Sequence, residues 1–210
     1  EGLNQLCSTS PQLHAFPLDI SGHAATKEIA EQILEQHGPI DLFVYAAVYA
    51  HADLDAATSL EQAFHVGTLG CAYALKTIIP SMKSNGGGQI AIFGSPVGYD
   101  ALPGTLRYGT EKAALAYYAR SLRIELSKDY IDVKLVLPGF VKTPLTAKNN
   151  FPMPFLMELP IAVDRIMKGL ANKSKATVAF PRRLHWMMKI IGMLPDRLYF
   201  WLMRQIGRKL

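Results

Sequence analysis

Short apolar runs alternate with stretches of helical spacing along this chain, and that alternation limits the folds open to it. The runs cover residues 13–18, 41–46, 89–94, 133–137 and 176–180. The helical stretches between them cover 24–36, 60–84, 108–127 and 160–172. Strands that alternate with helices pair in parallel, with the helices over the faces of the sheet. The expected fold class is therefore α/β, a doubly wound parallel sheet. With 210 residues, half of them apolar, the chain can bury a sizeable core as one globular domain, expected over residues 1–181.

A pattern that carries chemistry sits on this frame. Tyr108 and Lys112 are four residues apart, and Ser95 lies thirteen residues before the tyrosine. On a helix, a spacing of four places both side chains on one face. An ammonium beside a phenol favours the phenolate, so the tyrosine is expected to act as an acid/base group nearer neutral pH than its ordinary value of about 10. A serine hydroxyl at the same site can hold the oxygen that exchanges this proton. The chemistry is carbonyl reduction or alcohol oxidation.

Context separates this pair from a decoy. Tyr130 and Lys134 have the same spacing but run into Val133-Lys134-Leu135-Val136-Leu137, a strand pattern, and are read as structural. Ser95 instead ends the buried run Gln89–Gly94, and the helix from about Tyr108 follows a loop holding Gly98, Pro103 and Gly104. That order brings Ser95 and the tyrosine helix to the carboxyl ends of neighbouring strands, where open α/β sheets bind ligands.

From Gly94-Ser95 through Tyr108-Gly109-Thr110-Glu111-Lys112, and again at Pro138-Gly139-Phe140-Val141-Lys142-Thr143-Pro144, the chain resembles a classical short-chain dehydrogenase/reductase. The resemblance runs from about residue 3 to residue 181. It implies a Rossmann-like sheet and an NAD or NADP cofactor, with Ser95, Tyr108 and Lys112 as the catalytic set. Lys112 would bind the nicotinamide ribose and lower the tyrosine pKa, and Thr143 would touch the carboxamide. Asp19 would contact the adenine, although an aspartate there also suits a helix cap. Ala46, Ala47, Pro138, Gly139 and Val141 complete the implied cofactor site.

Departures from the family pattern point to a rival reading. No Gly-x-x-x-Gly-x-Gly sequence is present, and the chain opens inside what would be the helix after the second strand. An N-terminal βαβ portion, carrying the pyrophosphate site and the NAD/NADP choice, is expected to be missing. Gly86-Gly87-Gly88 reads as a turn. Tyr45-Ala46-Ala47-Val48 stands where Asn-Asn-Ala-Gly is usual, and Gly67 where the family has the asparagine of the catalytic tetrad. The rival is a catalytically impaired scaffold or membrane-associated binding protein.

Between the Thr143 loop and the next helix, residues 144–160 are expected to form a substrate lid. Phe151, Met153, Phe155, Leu156 and Met157 suit a bulky apolar carbonyl or alcohol, or else bury themselves against the domain. Asp53 and Asp55 read as a solvated loop. His14, His23, His37, His51, His65 and His185 lack the spacing of a helical metal site, so no metal is expected. Cys7 and Cys71 form no disulfide framework, which suits a reducing cytoplasm.

The basic charge is concentrated at one end. Residues 182–210 carry seven Lys/Arg and one Asp, a net of +6, against −1 for the other 181 residues. Neither apolar stretch, 184–194 nor 198–206, reaches the ~20 residues that span a bilayer. Tyr199, Leu202, Met203, Ile206 and Leu210 share a helical face opposite Arg197, Arg204 and Arg208, with Trp186 and Trp201 nearby. This extension is expected to lie on an anionic membrane surface, or else to pack on the core or a second subunit. A homo-oligomer through the 60–84 and 108–127 helices is expected, and no nucleic-acid partner.

Overall fold

The computed structural model describes residues 2–49, 56–149 and 151–208. A short helix, α1 (Gly2–Cys7), leads into α2 (His23–His37), then β1 (Leu42–Tyr45). Helix α3 (Ala56–Phe64) passes through a π-helical turn, His65–Leu69, into α4 (Gly70–Ser84). Then follow β2 (Gly88–Phe93), α5 (Leu106–Glu125), β3 (Ile131–Pro138), α6 (Leu159–Ala171) and β4 (Thr177–Phe180). Two helices close the chain, α7 (Arg182–Gly192) and α8 (Asp196–Gly207). Asp53 and Asp55 lie outside the described residues.

The four strands form one parallel sheet in the order β1-β2-β3-β4. Its register pairs Tyr45 with Ile92, Phe93 with Val136, and Pro138 with Phe180. Alternation along the strands sends side chains to two cores. Ile90, Ile92, Val133, Leu135 and Leu137 pack against Leu75, Ile78 and Met82 of α4 and Leu115, Ala119 and Leu122 of α5. Ala91, Val136 and Val178 face the other way, onto Ala162 and Leu170 of α6. Helices thus cover both faces, and each fully buried leucine or isoleucine contributes roughly 2 kcal/mol.

The turn from α4 into β2 needs its glycines. Gly86 and Gly87 have φ of 85° and 127°, and a methyl group on Gly87 would lie 2.5 Å from the Tyr130 carbonyl oxygen. Lys134, the lysine of the decoy pair, is fully buried in β3. Its ammonium bonds Asp132 at 2.8 Å and donates to the carbonyls of Asn172 and Lys175, both at 2.9 Å, tying β3 to the turn before β4. Tyr130 points into solvent, so the decoy is structural as expected.

The expected strand at 13–18 does not form. Residues 13–19 belong to neither helix nor strand, and His14 and Phe16 rest on the His37 ring at centroid distances of 4.4 and 5.9 Å. A strand needs a hydrogen-bonded neighbour. Among the described residues β1 pairs only with β2, and nothing bridges its other edge to 13–19. Leu42 and Val44 on β1 are exposed there.

The C-terminal helices overturn one expectation. Tyr199 and Met203, assigned to a membrane-facing stripe, are buried against the domain. The Tyr199 hydroxyl donates to the Ala101 carbonyl, and Gly207 rests on Pro103. On α7, Leu184 packs on Gly139, and His185 Nδ1 shares a 3.1 Å hydrogen bond with the Tyr99 hydroxyl. The two helices therefore hold the 99–103 loop. Leu210 lies outside the described residues. Among those described, no helix is long and apolar enough to cross a membrane.

Candidate active site

Ser95 lies two residues beyond the end of β2 and is buried. Its hydroxyl accepts the Val97 amide at 3.3 Å and caps a 3-10 turn, Pro96–Gly98. That turn rests on the α5 backbone at Lys112. A methyl group on Gly98 would lie 2.8 Å from the Lys112 carbonyl carbon and oxygen, so the close approach needs glycine. Tyr108 occupies the first turn of α5, and its ring centroid is 5.7 Å from Lys112 Nζ. The Ser95 hydroxyl is placed to lower the pKa of the phenol. Ser95, Tyr108 and Lys112 thus meet at the carboxyl end of the sheet, as the sequence implied.

Lys112 is not alone there. It is 3% exposed, and its Nζ lies 3.2 Å from Glu111 Oε2 and 3.4 Å from the Phe93 carbonyl oxygen. Glu111 is equally buried, and its second oxygen has no hydrogen-bond partner. The Glu111 side chain fills the space left by Gly67: a methyl group there would lie 2.0 Å from Glu111 Oε1. Burial pushes the Glu111 carboxyl above its usual range, with Lys112 opposing.

This arrangement corrects the expected tyrosine chemistry. Burial raises the Tyr108 pKa, the Ser95 hydroxyl lowers it, and the Glu111 charge raises it further, for a net rise. The phenol is not brought toward neutrality, because burial, with the Glu111 carboxylate adding to it, outweighs what lowers it.

Tyr45, where the family usually has an asparagine, supplies a brace of its own. It is buried at the end of β1, and its hydroxyl donates to the Val66 carbonyl in the π-helical turn that carries Gly67. π-Turns inside helices frequently mark functional sites. Two residues later, Ala47 packs partly on the core, whereas Ala46 is exposed.

Beyond β3 the loop is knotted by a residue absent from the sequence reading. Thr146 Oγ1 donates to the Val141 carbonyl at 2.6 Å and accepts the Thr143 amide at 2.9 Å. The Thr143 hydroxyl lies 3.3 Å from the same oxygen, so its position in the loop is fixed. Val141 bridges to Met157, and the Gly139 amide donates to the Phe180 carbonyl at 2.7 Å, which fixes the loop that follows Pro138. Of the proposed lid, Met157 is buried, while Phe151, Phe155 and Leu156 are exposed and Phe151 touches Phe140 with ring centroids 6.0 Å apart.

Asp19 stands apart from this cluster. Its carboxylate accepts the Ser21 amide at 3.0 Å and the Ser21 hydroxyl at 2.7 Å, bonds that hold its pKa below the usual range. It forms the turn that precedes α2.

Two signals in the sequence could have pointed to the additional residues. Glu111 lies on the stripe Glu111-Leu115-Ala119-Leu122, a carboxylate in line with apolar residues that are buried. Gly98, three residues after Ser95, is the turn residue of that loop.

The sequence matches the family described as short chain dehydrogenase over residues 1–153. The chain belongs to the short-chain dehydrogenase family. An oxidoreductase of Myxococcus xanthus, of uncharacterized function, is 32% identical over 190 residues, covering 87% of this chain and 73% of that protein. An SDR family protein 7-like dehydrogenase/reductase of Anopheles gambiae is 28% identical over 93% of this chain and 66% of its own length. A short-chain dehydrogenase from Streptomyces avermitilis superposes with a TM-score of 0.77 at 19% identity, over 99% of this chain and 85% of that one. A 7α-hydroxysteroid dehydrogenase bound to NADH and 7-oxo glycochenodeoxycholic acid gives 0.72 at 19% identity, over 83% and 76%. At these identities the superpositions establish the shared Rossmann-like fold.

For a short-chain dehydrogenase, the residues present fit one end of a nicotinamide dinucleotide. Lys112 and Tyr108 bring donors to the carboxyl end of β2, suited to a ribose, and Thr143 adds a hydroxyl in the loop after β3, suited to a carboxamide. Among the described residues no glycine-rich turn meets a helix N-terminus, the usual cradle for the pyrophosphate.

Proposed function

We propose that this short-chain dehydrogenase interconverts a carbonyl and a secondary alcohol with NAD or NADP, acting on a bulky apolar substrate. The observation that carries this reading is the convergence of Ser95, Tyr108 and Lys112 at the carboxyl end of the sheet. When bound, the cofactor supplies the ring that gives or takes the hydride. The Ser95 hydroxyl holds the substrate oxygen, and Tyr108 donates its proton to that oxygen in reduction and removes it in oxidation. Lys112 holds the ribose hydroxyls and stabilises the phenolate, and its partner Glu111 moderates that effect. Thr143 orients the carboxamide. Phe151, Phe155 and Leu156, exposed beside the Thr143 loop, offer an apolar wall to a substrate of the steroid-like size seen in the hydroxysteroid dehydrogenase complex.

The test is a titration of NADH and NADPH against this chain, followed by turnover of apolar ketones and alcohols with the Tyr108→Phe variant alongside. Saturable binding with turnover that is lost in the variant supports the reading. Turnover that survives Tyr108→Phe refutes it.

The rival, a silent scaffold, draws on one observation: a carboxylate sits against the lysine and the tyrosine pKa is raised. It expects dinucleotide binding without turnover. Self-association through α4 and α5 belongs to the same proposal, supported by Tyr117 and Ile124 exposed on the outer face of α5. Light scattering on the Tyr117→Glu/Ile124→Glu variant reads it directly, and an unchanged mass would remove that face from the assembly.

A further inference from the structure

Helices α7 and α8 each have two apolar sides, and only one is used. On α7, Leu184 and Met188 are buried. At about 100° per residue, Trp186, Ile190 and the capping Met193 lie on the opposite side, with Met187 at its flank, and all are exposed. On α8, Tyr199 and Met203 face the domain. Phe200 and Trp201 point away with Arg197, Arg204 and Arg208, and all five are exposed. Trp186 and Trp201 are 56% and 57% exposed, although tryptophan is usually well buried in folded proteins.

Charge adds a second, independent observation. A groove of about 630 Å³ runs between α6, β4 and α7, bordered by Trp186. Arg165, Lys168, Lys175, Arg182 and Arg183 line it, and no acidic side chain does. Among the described residues only Lys168 of these five has an ion-pair partner, Asp164 at 2.7 Å. Arg197, Arg204 and Arg208 form none either. The groove holds none of Ser95, Tyr108 or Lys112, so the catalytic set does not account for it.

We propose that the outer sides of α7 and α8, with this basic groove, dock the protein on the surface of an anionic phospholipid bilayer. Tryptophan, phenylalanine and isoleucine enter the interface, while the arginines meet headgroup phosphates, with the groove taking a headgroup beside Trp186. A second copy of the chain fits poorly. A two-fold contact brings the same patch against itself, so the cations of one protomer would face those of its partner. The 99–103 loop, held by both helices, links Ser95 to Tyr108, so docking would set the catalytic side of the sheet near a membrane-dissolved apolar substrate. That last consequence rests on the proposed function; the docking itself does not.

The test uses a built-in probe, because Trp186 and Trp201 are the chain's two tryptophans. Tryptophan emission and co-sedimentation are measured with vesicles of phosphatidylcholine alone and of phosphatidylcholine with phosphatidylserine, each with and without brominated acyl chains. The proposal expects a blue shift, bromine quenching and sedimentation with the anionic vesicles, weakened by salt. Arg197→Glu/Arg204→Glu/Arg208→Glu should weaken vesicle binding by at least ~10-fold, as should Ile190→Ser/Trp201→Ser, with circular dichroism and melting unchanged. These are exposed positions, and two separate variants guard against one that misfolds. No response to anionic vesicles, or an equal response to neutral ones, overturns the proposal. So does an emission shift that follows protein concentration without vesicles, which would mean that a second copy covers the face. Neither outcome depends on turnover, so failure of the catalytic reading remains distinguishable.

Discussion

Glu111 occupies the volume that a side chain at position 67 would need: a methyl group on Gly67 would lie 2.0 Å from Glu111 Oε1. The same carboxylate reaches Lys112 with its other oxygen, at 3.2 Å. The glycine and the glutamate therefore form one arrangement. The space opened at the π-helical turn is filled from α5, and the filling group carries charge into the catalytic cluster.

If the two positions are coupled, their substitutions will not add. Gly67→Ala forces Glu111 aside and should cost about 1–3 kcal/mol, the usual range for overpacking. In the Glu111→Ala background the space is empty, and the same change should cost close to nothing. Urea denaturation of the four proteins measures the coupling. An equal cost for Gly67→Ala in both backgrounds would show that the two side chains do not compete for space.

Glu111→Gln keeps the shape and removes the charge. Tyr108 is raised by burial first, lowered by Ser95, and raised again by Glu111, so the substitution should lower its pKa. Alcohol oxidation needs the phenolate, and its rising alkaline limb should move to lower pH. Carbonyl reduction needs the phenol, and its activity should fall off at lower pH than in the parent. Profiles of kcat/KM against pH in both directions read this, and a shift toward higher pH would contradict the electrostatic role.

What was legible in the sequence follows from how local each cause is. Gln89–Phe93 and Val133–Leu137 declare themselves as strands because they are buried on both faces, so an unbroken apolar run suffices. Residues 13–18 have a similar composition but pair with no neighbour, and no local pattern reports a missing partner. The tail's amphipathicity was visible, but which side faced the domain depended on the 99–103 loop, far off in sequence. Ser95, Tyr108 and Lys112 follow from spacing. Tyr108's raised pKa does not, because it depends first on burial in the folded domain and then on Glu111, whose position on the buried stripe of α5 acquires meaning only beside Gly67.

Tyr45 gives a test of the brace across the site. Its buried hydroxyl donates to the Val66 carbonyl, joining the end of β1 to the turn that carries Gly67. Tyr45→Phe removes one buried hydrogen bond and leaves that carbonyl without the donor, at a cost of about 1–3 kcal/mol. Amide exchange should rise across 65–70 more than in β2 or β3. Uniform loss of protection would mean that the bond stabilises the domain as a whole and does not hold this turn.

Acid should expose the network at the start of β3. Asp132 is raised by burial, but hydrogen bonds from Lys134, Arg123 and Gln89 outweigh this and hold it below the ordinary carboxylate range. A carboxylate with a lowered folded-state pKa stabilises the fold above its unfolded value of about 3.9, and that stability is lost as pH falls through the folded pKa. Lys134 is fully buried and 2.8 Å from Asp132, so Asp132→Asn leaves an ammonium held by two carbonyls alone. The variant should lose about 3 kcal/mol at pH 7, the lower end of the range for breaking a buried pair, because Asp132 is partly solvated. As pH falls through the lowered folded-state value, the parent's own carboxyl is protonated, so the gap between the two proteins should narrow. Urea midpoints at pH 7 and pH 3 measure both quantities. A gap of the same size at both values would show that Asp132 acts through packing and not through its charge.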